Sequence, residues 1–298
     1  MKLLITGAWR STQEQLNTIK EMGHEIIFMQ NEKDELPCSY EEVEGVIANG
    51  LFLSHPIERF TSLRYIQLTS AGFDRVPMDF VEKRGIKIHN ARGVYSIPMA
   101  EFAISGVLQL YKQARFFAKN QAECIWEKHR GILELFGKTV CVVGAGNVGT
   151  ECAKRFNAFG CRVIGVDLYP RLDENYEKIY PLIEIDECLA TADVVVLTLP
   201  LTEETRGMMN EARFAKMKQG SVLVNIARGA VIDEDALLMA LEERLLGAVL
   251  DVFVEEPLDE KNRLWKQENV IVTPHNSFVG DGNAERLYQV IVANLEKN

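Results

Sequence analysis

The stretch that decides the fold is K-T-V-C-V-V-G-A-G-N-V-G, Lys138 to Gly149. An apolar run, T-V-C-V-V, leads into the pattern G-x-G-x-x-G, and the helix-compatible T-E-C-A-K-R-F leads out. Glycine-rich turns are common, so the pattern is weak by itself; its strand-before, helix-after setting strengthens it. Gly144 permits a tight turn and Gly146 lets an anion approach the backbone. Gly149 lets the helix pack closely on the strand. The helix start then offers unpaired N–H groups and partial positive charge, as a pyrophosphate requires. Asp167 ends the next apolar run, C-R-V-I-G-V, eighteen residues beyond Gly149. A carboxylate there can accept from both ribose hydroxyls of an adenine dinucleotide and repel a 2′-phosphate, which favours NAD over NADP. Arg171, four residues on, is placed to pair with such a phosphate, so the choice stays open.

Outward from this turn the same grammar repeats. D-V-V-V-L-T, S-V-L-V-N, G-A-V-L and N-V-I-V follow as short apolar runs, most separated by helical segments. Before the turn stand K-L-L-I-T, H-E-I-I-F-M, G-V-I-A-N, Y-I-Q-L-T and I-K-I-H, with helical patterns over Ser11–Met22 and Met78–Lys83. Short apolar runs alternating with helices imply parallel strands with crossover helices. The chain therefore reads as α/β, with two Rossmann-like or flavodoxin-like parallel-sheet modules in tandem. Ile97–Ala118 reads as one long helix, opened by Ser96 and Pro98. Asn283–Asn298 is amphipathic, with Leu287, Val290, Ile291 and Leu295 at helical spacing.

Composition bounds the partners. The chain has 298 residues and a net charge of −10 without a basic cluster, which argues against nucleic acid and anionic membrane. No run approaches the ~20 apolar residues that span a bilayer. The opening M-K-L-L-I-T-G-A-W is too short for a secretory h-region and reads as a first strand. Six cysteines are scattered without a C-x-x-C pair, as expected of reduced thiols in a cytoplasmic protein; no zinc-ligand spacing occurs.

Three stretches follow strands of the second module and carry chemistry. N-I-A-R-G presents Arg228, V-F-V-E-E-P presents Glu256, and V-T-P-H-N presents His275. The carboxyl ends of strands border the ligand crevice of an open α/β sheet. Hydride transfer to a ketone needs a proton donor at the carbonyl oxygen, and histidine suits this near neutrality. A carboxylate on its other nitrogen fixes the tautomer. An arginine fork can hold a substrate carboxylate. Together the groups describe a 2-oxo acid reductase; singly, each reads better as a surface ion pair.

Taken in order, L-T-S-A-G-F-D, R-G-I-K-I-H-N-A-R-G, I-P-M-A-E-F-A, the glycine turn, T-L-P-L-T, N-I-A-R-G-A-V-I-D-E-D-A-L, L-D-V-F-V-E-E-P-L and T-P-H-N-S resemble the D-isomer-specific 2-hydroxyacid dehydrogenase family over nearly the whole chain. The resemblance implies that Arg228 binds and orients the substrate, that Glu256 pairs with His275, and that His275 is the acid/base. Glu255 is implied to be a bystander. Cofactor contacts are implied at Gly144, Gly146, Asn147, Val148, Gly149, Asp167, Leu199, Pro200, Ile226, Ala227 and Asp251. Backbone N–H groups of Ala71 and Gly72 are implied to meet the substrate carboxylate.

The resemblance also implies a discontinuous substrate domain, residues 1–96 plus 276–298, a NAD-binding Rossmann domain over 97–275, and a cleft between them that closes to exclude water. It implies a homodimer joined through Ile97–Arg130. The partner is then a small anionic 2-oxo or 2-hydroxy acid, with no metal. Departures bear on substrate: L-F-L-S-H-P-I-E after A-N-G, Arg92 in N-A-R-G, and the bulk of Phe278 and Val279 beside His275. Arg92 reads as either a second anion contact or a salt bridge. Without a segment after the last helix, an appended regulatory domain of the phosphoglycerate dehydrogenase kind is not expected. Two alternatives stay open: an NAD-sensing, corepressor-like binding protein, and a formate- or phosphite-type dehydrogenase.

Overall fold

The computed structural model describes residues 1–297; the last position of the expected terminal helix, Asn298, lies outside them. The chain divides into two compact units. One comprises Met1–Tyr95 with the chain from Gly280 onward, and the other Ser96–Val279. The second crossing falls beyond the expected residue 275. The reason is local: the N–H groups of Asn276 and Ser277 are still bonded to the Asp251 carboxylate of the second unit.

The first unit is a five-stranded parallel sheet in the order β2-β1-β3-β4-β5. Its strands are β1 (Lys2–Thr6), β2 (Glu25–Met29), β3 (Gly45–Ala48), β4 (Tyr65–Leu68) and β5 (Lys87–His89). Helix α1 (Gln13–Glu21) links the first two, and α2 (Met78–Arg84) precedes β5. Thr12 starts α1 with a reciprocal cap: its hydroxyl accepts from Gln15 N, and the Gln15 side chain accepts from Thr12 N. Alternate residues face opposite sides. Leu4, Val46 and Ile66 pack with Phe60 and Val81 on one face. Leu3, Ile5 and Ile47 pack on the other with Ile19 and with Leu287, Ile291 and Leu295 of the last helix, Asn283–Leu295. Burial of each large aliphatic side chain contributes about 2 kcal/mol, so a strand buried on both faces must be apolar throughout.

The second unit opens with α3 (Ser96–Tyr111) and α4 (Ala114–Ala122). The single long helix expected there is broken, because Gln113 takes the left-handed conformation at φ 55°. A seven-stranded parallel sheet follows in the order β12-β11-β10-β9-β6-β7-β8. Its strands are β6 (Thr139–Val143), β7 (Arg162–Asp167), β8 (Ile179–Pro181), β9 (Val194–Leu197), β10 (Val222–Asn225), β11 (Gly247–Leu250) and β12 (Val270–Val272). Helices α5 (Asn147–Ala158), α6 (Ile185–Thr191), α7 (Glu211–Lys216) and α8 (Glu234–Glu243) complete it. Val140, Val142, Val194 and Val222 bury one face against Ala103 and Val107 of α3 and Phe156 of α5. Cys141, Val195 and Leu223 bury the other against Leu189, Phe214 and Leu237. Four of the six unpaired cysteines are buried, and burial pushes the Cys152 thiol up to about 12. No described helix is long and apolar enough to cross a membrane.

Candidate active site

Strand order reverses between β6 and β9, and both loops at that point are fixed by close contact. Gly144 sits at φ 99°, and a Cβ there would lie 2.6 Å from Leu199 N. Thr198 Oγ1 donates to Gly144 O at 2.6 Å, tying the loop after β9 to the loop after β6. A Cβ on Gly149 would lie 2.1 Å from Gly144 O, so only glycine lets α5 start this close to the strand. Gly146 is different: nothing lies within 4 Å of where its Cβ would stand. The turn thus leaves open space over its middle glycine, directly before the N-terminus of the twelve-residue α5 that begins at Asn147 and Val148. Such a cradle fits a pyrophosphate.

Asp167 closes the turn from β7. Its Oδ2 accepts from Ala145 N at 2.8 Å and its Oδ1 from Tyr169 N at 2.9 Å. Arg171 reaches the same residue from the other side, donating from Nη2 to Ala145 O at 2.5 Å, and pairs with Asp173 at 3.2 Å. The acid and the arginine therefore both border Ala145.

The neighbouring strands β10, β11 and β12 deliver the polar groups. Asn225, buried at the end of β10, accepts from Ala227 N through Oδ1 and donates from Nδ2 to Arg228 O, both at 3.0 Å. This holds the Ile226–Arg228 turn. The exposed Arg228 side chain donates to Ala227 O at 2.7 Å. A Cβ on Gly229 would lie 2.0 Å from Phe253 C, so the turn is pressed onto the chain after β11. Phe253 N donates to Glu256 Oε1 at 3.0 Å, and Glu256 Oε2 lies 2.8 Å from His275 Nδ1. A continuous run of contacts thus joins the Arg228 turn to the imidazole. With Nδ1 facing a carboxylate, neutral His275 carries its proton there, and Nε2 is the nitrogen left to exchange a proton. Glu255 is exposed.

His275 itself has φ 49°, in the left-handed region. Its N–H donates to Asp251 O at 2.8 Å. The fully buried Asp251 carboxylate accepts from Thr273 Oγ1 at 2.6 Å, Asn276 N at 2.8 Å and Ser277 N at 2.9 Å. Charge-assisted bonds of this kind are the strong ones, and here they hold the strained turn on which His275 stands. Asp251 was expected as a cofactor contact; its visible work is to shape the histidine turn.

Ala71 and Gly72 follow β4 in the first unit. Asn90 Nδ2 donates to Ala71 O at 2.6 Å, and Ser70 Oγ to Gly72 O at 3.1 Å. The N–H and C=O of a trans peptide oppose each other, so the Gly72 N–H points away from Asn90. Arg92 is exposed, and its N–H donates to Asn90 Oδ1 at 3.2 Å. The sequence reading missed Asn225 and Thr273, which hold turns of the second unit, and Asn90, which holds the Ala71–Gly72 loop of the first. The signal for Asn225 and Asn90 was an asparagine at the end of an apolar run, a position where its side chain meets its own loop.

The family model described as "D-isomer specific 2-hydroxyacid dehydrogenase, NAD binding domain" matches residues 104–277. Hydroxypyruvate reductase of Thermotoga maritima is 35% identical over 274 residues, 89% of this chain and 87% of the relative. D-3-phosphoglycerate dehydrogenase 2, chloroplastic, of Arabidopsis thaliana is 38% identical over 218 residues, 72% of this chain. The match spans 34% of the length of that plant relative. A crystal structure of a D-isomer specific 2-hydroxyacid dehydrogenase family protein from Aeromonas salmonicida superposes with TM-score 0.83 at 29% identity, covering 99% of this chain and 94% of the other. The cofactor of the second unit is accordingly NAD, and the chain belongs to the D-isomer specific 2-hydroxyacid dehydrogenase family.

Proposed function

We propose that the protein reduces a small 2-oxo acid to the D-2-hydroxy acid with NADH, and runs the reverse oxidation with NAD. The observation that carries this reading is the 2.8 Å pair of Glu256 and His275 at the carboxyl edge of a NAD-binding sheet, two strands from Arg228. Neighbouring strands are about 4.8 Å apart, so the Arg228 and His275 turns leave the sheet about 10 Å from each other. That separation suits one small acid.

Bound NADH supplies the hydride. Gly144, Gly146 and Gly149 shape its pyrophosphate cradle, the N–H groups of Asn147 and Val148 meet the phosphate, and Asp167 takes the ribose hydroxyls. Leu199, Pro200, Ile226 and Ala227 complete the cofactor set. His275 gives the proton from Nε2 to the carbonyl oxygen while Glu256 stabilises the imidazolium. Arg228 holds the substrate carboxylate and stabilises negative charge that grows on the adjacent oxygen. The backbone N–H groups of Ala71 and Gly72 are further proposed contacts for the substrate carboxylate. Asp167 favours NADH over NADPH, with Arg171 limiting the margin.

A compact 2-oxo acid is favoured over a phosphorylated one. The hydroxypyruvate reductase of Thermotoga maritima, matched over 89% of this chain and 87% of its own length, supports that choice. The working form is a homodimer in the cytoplasm. Trp126 and Phe136, 98% and 76% exposed on the stretch after α4, support the first statement, and six unpaired cysteines support the second.

The test is the loss of NADH absorbance with a panel of 2-oxo acids that includes hydroxypyruvate. Turnover of at least one small member is expected. Tight NADH binding with no turnover on any of them overturns the reading in favour of a sensor. Reduction of NAD by formate or phosphite alone overturns it in favour of the one-carbon or inorganic class.

A further inference from the structure

The first sheet has its own reversal of strand order, at β1 and β3. In open α/β sheets that position, at the carboxyl ends of the strands, is where a ligand sits. Here it is filled from within. Glu32, on the segment after β2, accepts from Thr6 Oγ1 at 2.8 Å and Asn49 N at 2.6 Å through Oε1, and from Gly50 N at 2.7 Å through Oε2. Thr6 is the buried last residue of β1, and Asn49–Gly50 leaves β3 directly. Three donors converge on one carboxylate, as they would on a bound anion.

The clamped turn adjoins the loop that carries Ala71 and Gly72. Ala48 of β3 pairs with Leu68 of β4, and Thr69 N donates to Ala48 O at 2.9 Å. A Cβ on Gly50 would lie 3.5 Å from Glu32 Oε2 and 3.7 Å from Arg75 Cδ. Arg75 belongs to the loop after β4, three residues past Gly72, so its side chain stands beside the same face of Gly50 as the Glu32 carboxylate.

We propose that Glu32 is a positioning residue: an internal carboxylate that fixes the Asn49–Gly50 turn and, through it, the Ala71–Gly72 peptides that receive the substrate carboxylate. The inference rests on the carboxylate role proposed above for those peptides. Glu32→Gln keeps the side chain's length but sets an NH2 group against one of the donors. Its expected effect is a KM for the 2-oxo acid raised ~10-fold, the scale of one charged hydrogen bond lost, with kcat within about twofold and NADH affinity unchanged. Glu32→Ala leaves all three donors facing a space the size of a small carboxylate. Millimolar formate is expected to lower its raised KM toward the parent value while only inhibiting the parent.

Unchanged KM in both variants overturns the proposal. So does a KM rise with an equal fall in kcat and no response to formate, which is general loosening. Amide hydrogen exchange separates this inference from the functional reading. In Glu32→Gln, faster exchange is expected at 49–50 and also at 71–72, whether or not any acid is turned over. Faster exchange confined to 49–50 overturns it.

Discussion

Gly146→Ala separates folding from cofactor binding at one atom. Gly146 has φ −76° and ψ −162°, an extended conformation that alanine adopts freely, and its added Cβ would meet nothing within 4 Å. As the residue capping α5, alanine costs up to about 1 kcal/mol relative to glycine. The smaller freedom of the unfolded chain offsets about 0.4–1 kcal/mol of that. The net change is about 0.5 kcal/mol or less, which shifts Tm by less than about 2 °C in a domain of this size. Binding is another matter, because on the proposed placement the methyl group would stand where a phosphate oxygen approaches the backbone. Losing one hydrogen bond to a charged group costs about 1.5–3 kcal/mol, or about 10–150-fold in Kd for NADH. Fluorescence titration with NADH and a thermal melt in its absence measure the two effects separately. A Kd within twofold of the parent, with Tm unmoved, would refute the placement of the pyrophosphate on this turn. Gly149→Ala is the contrast: with its Cβ 2.1 Å from Gly144 O, it should lower Tm as well as affinity.

Replacing His275 by Gln should cut kcat about 10²–10⁴-fold with NADH affinity nearly kept; steady-state turnover near the parent's would remove the histidine from the proton step. Arg228→Lys should chiefly raise KM for the oxo acid, since an ammonium cannot supply the two-pronged contact, and an unmoved KM would show the carboxylate lies elsewhere. The kcat/KM for NADH should exceed that for NADPH at least about tenfold if Asp167 takes the ribose hydroxyls as proposed; equal efficiencies would contradict this. Gly229→Ala, whose Cβ would lie 2.0 Å from Phe253 C, should displace Phe253 and with it the Glu256 carboxylate. Turnover should then fall more than Tm alone explains, and a variant with parental kcat would show that Arg228 and Glu256 are not linked this way.

The sheets were legible because strands buried on both faces have to be apolar throughout, and each such run in the sequence became a strand. β8 was not, since it is a three-residue edge strand, Ile179–Pro181, only one of whose residues is buried. The break at Gln113 left no mark either: a left-handed residue is usually a glycine, and here it is a glutamine. In the site, the glycine turn was readable because Gly144 and Gly149 each answer a separate steric demand of the fold. The pairing of Glu256 with His275 was expected from the resemblance, and the structure puts them in contact. What holds them was hidden. Asn225 reaches the turn after its own strand, while Thr273 reaches an aspartate twenty-two positions away, just past the end of a neighbouring strand. Hydrogen bonds of the second kind have no periodicity to betray them.

β12 is three residues long, stands at the margin of its sheet, and among the described residues pairs with β11 alone. Strands in that situation open by local fluctuations that cost far less than melting the whole domain. The proposed proton donor therefore rides on a thinly held edge strand, and loss of turnover on warming would begin as fraying at that border while the interior stays intact. The aspartate clasp behind His275 then works as a latch against that fraying. Anyone seeking a hardier catalyst would do best to reinforce that border before touching the interior.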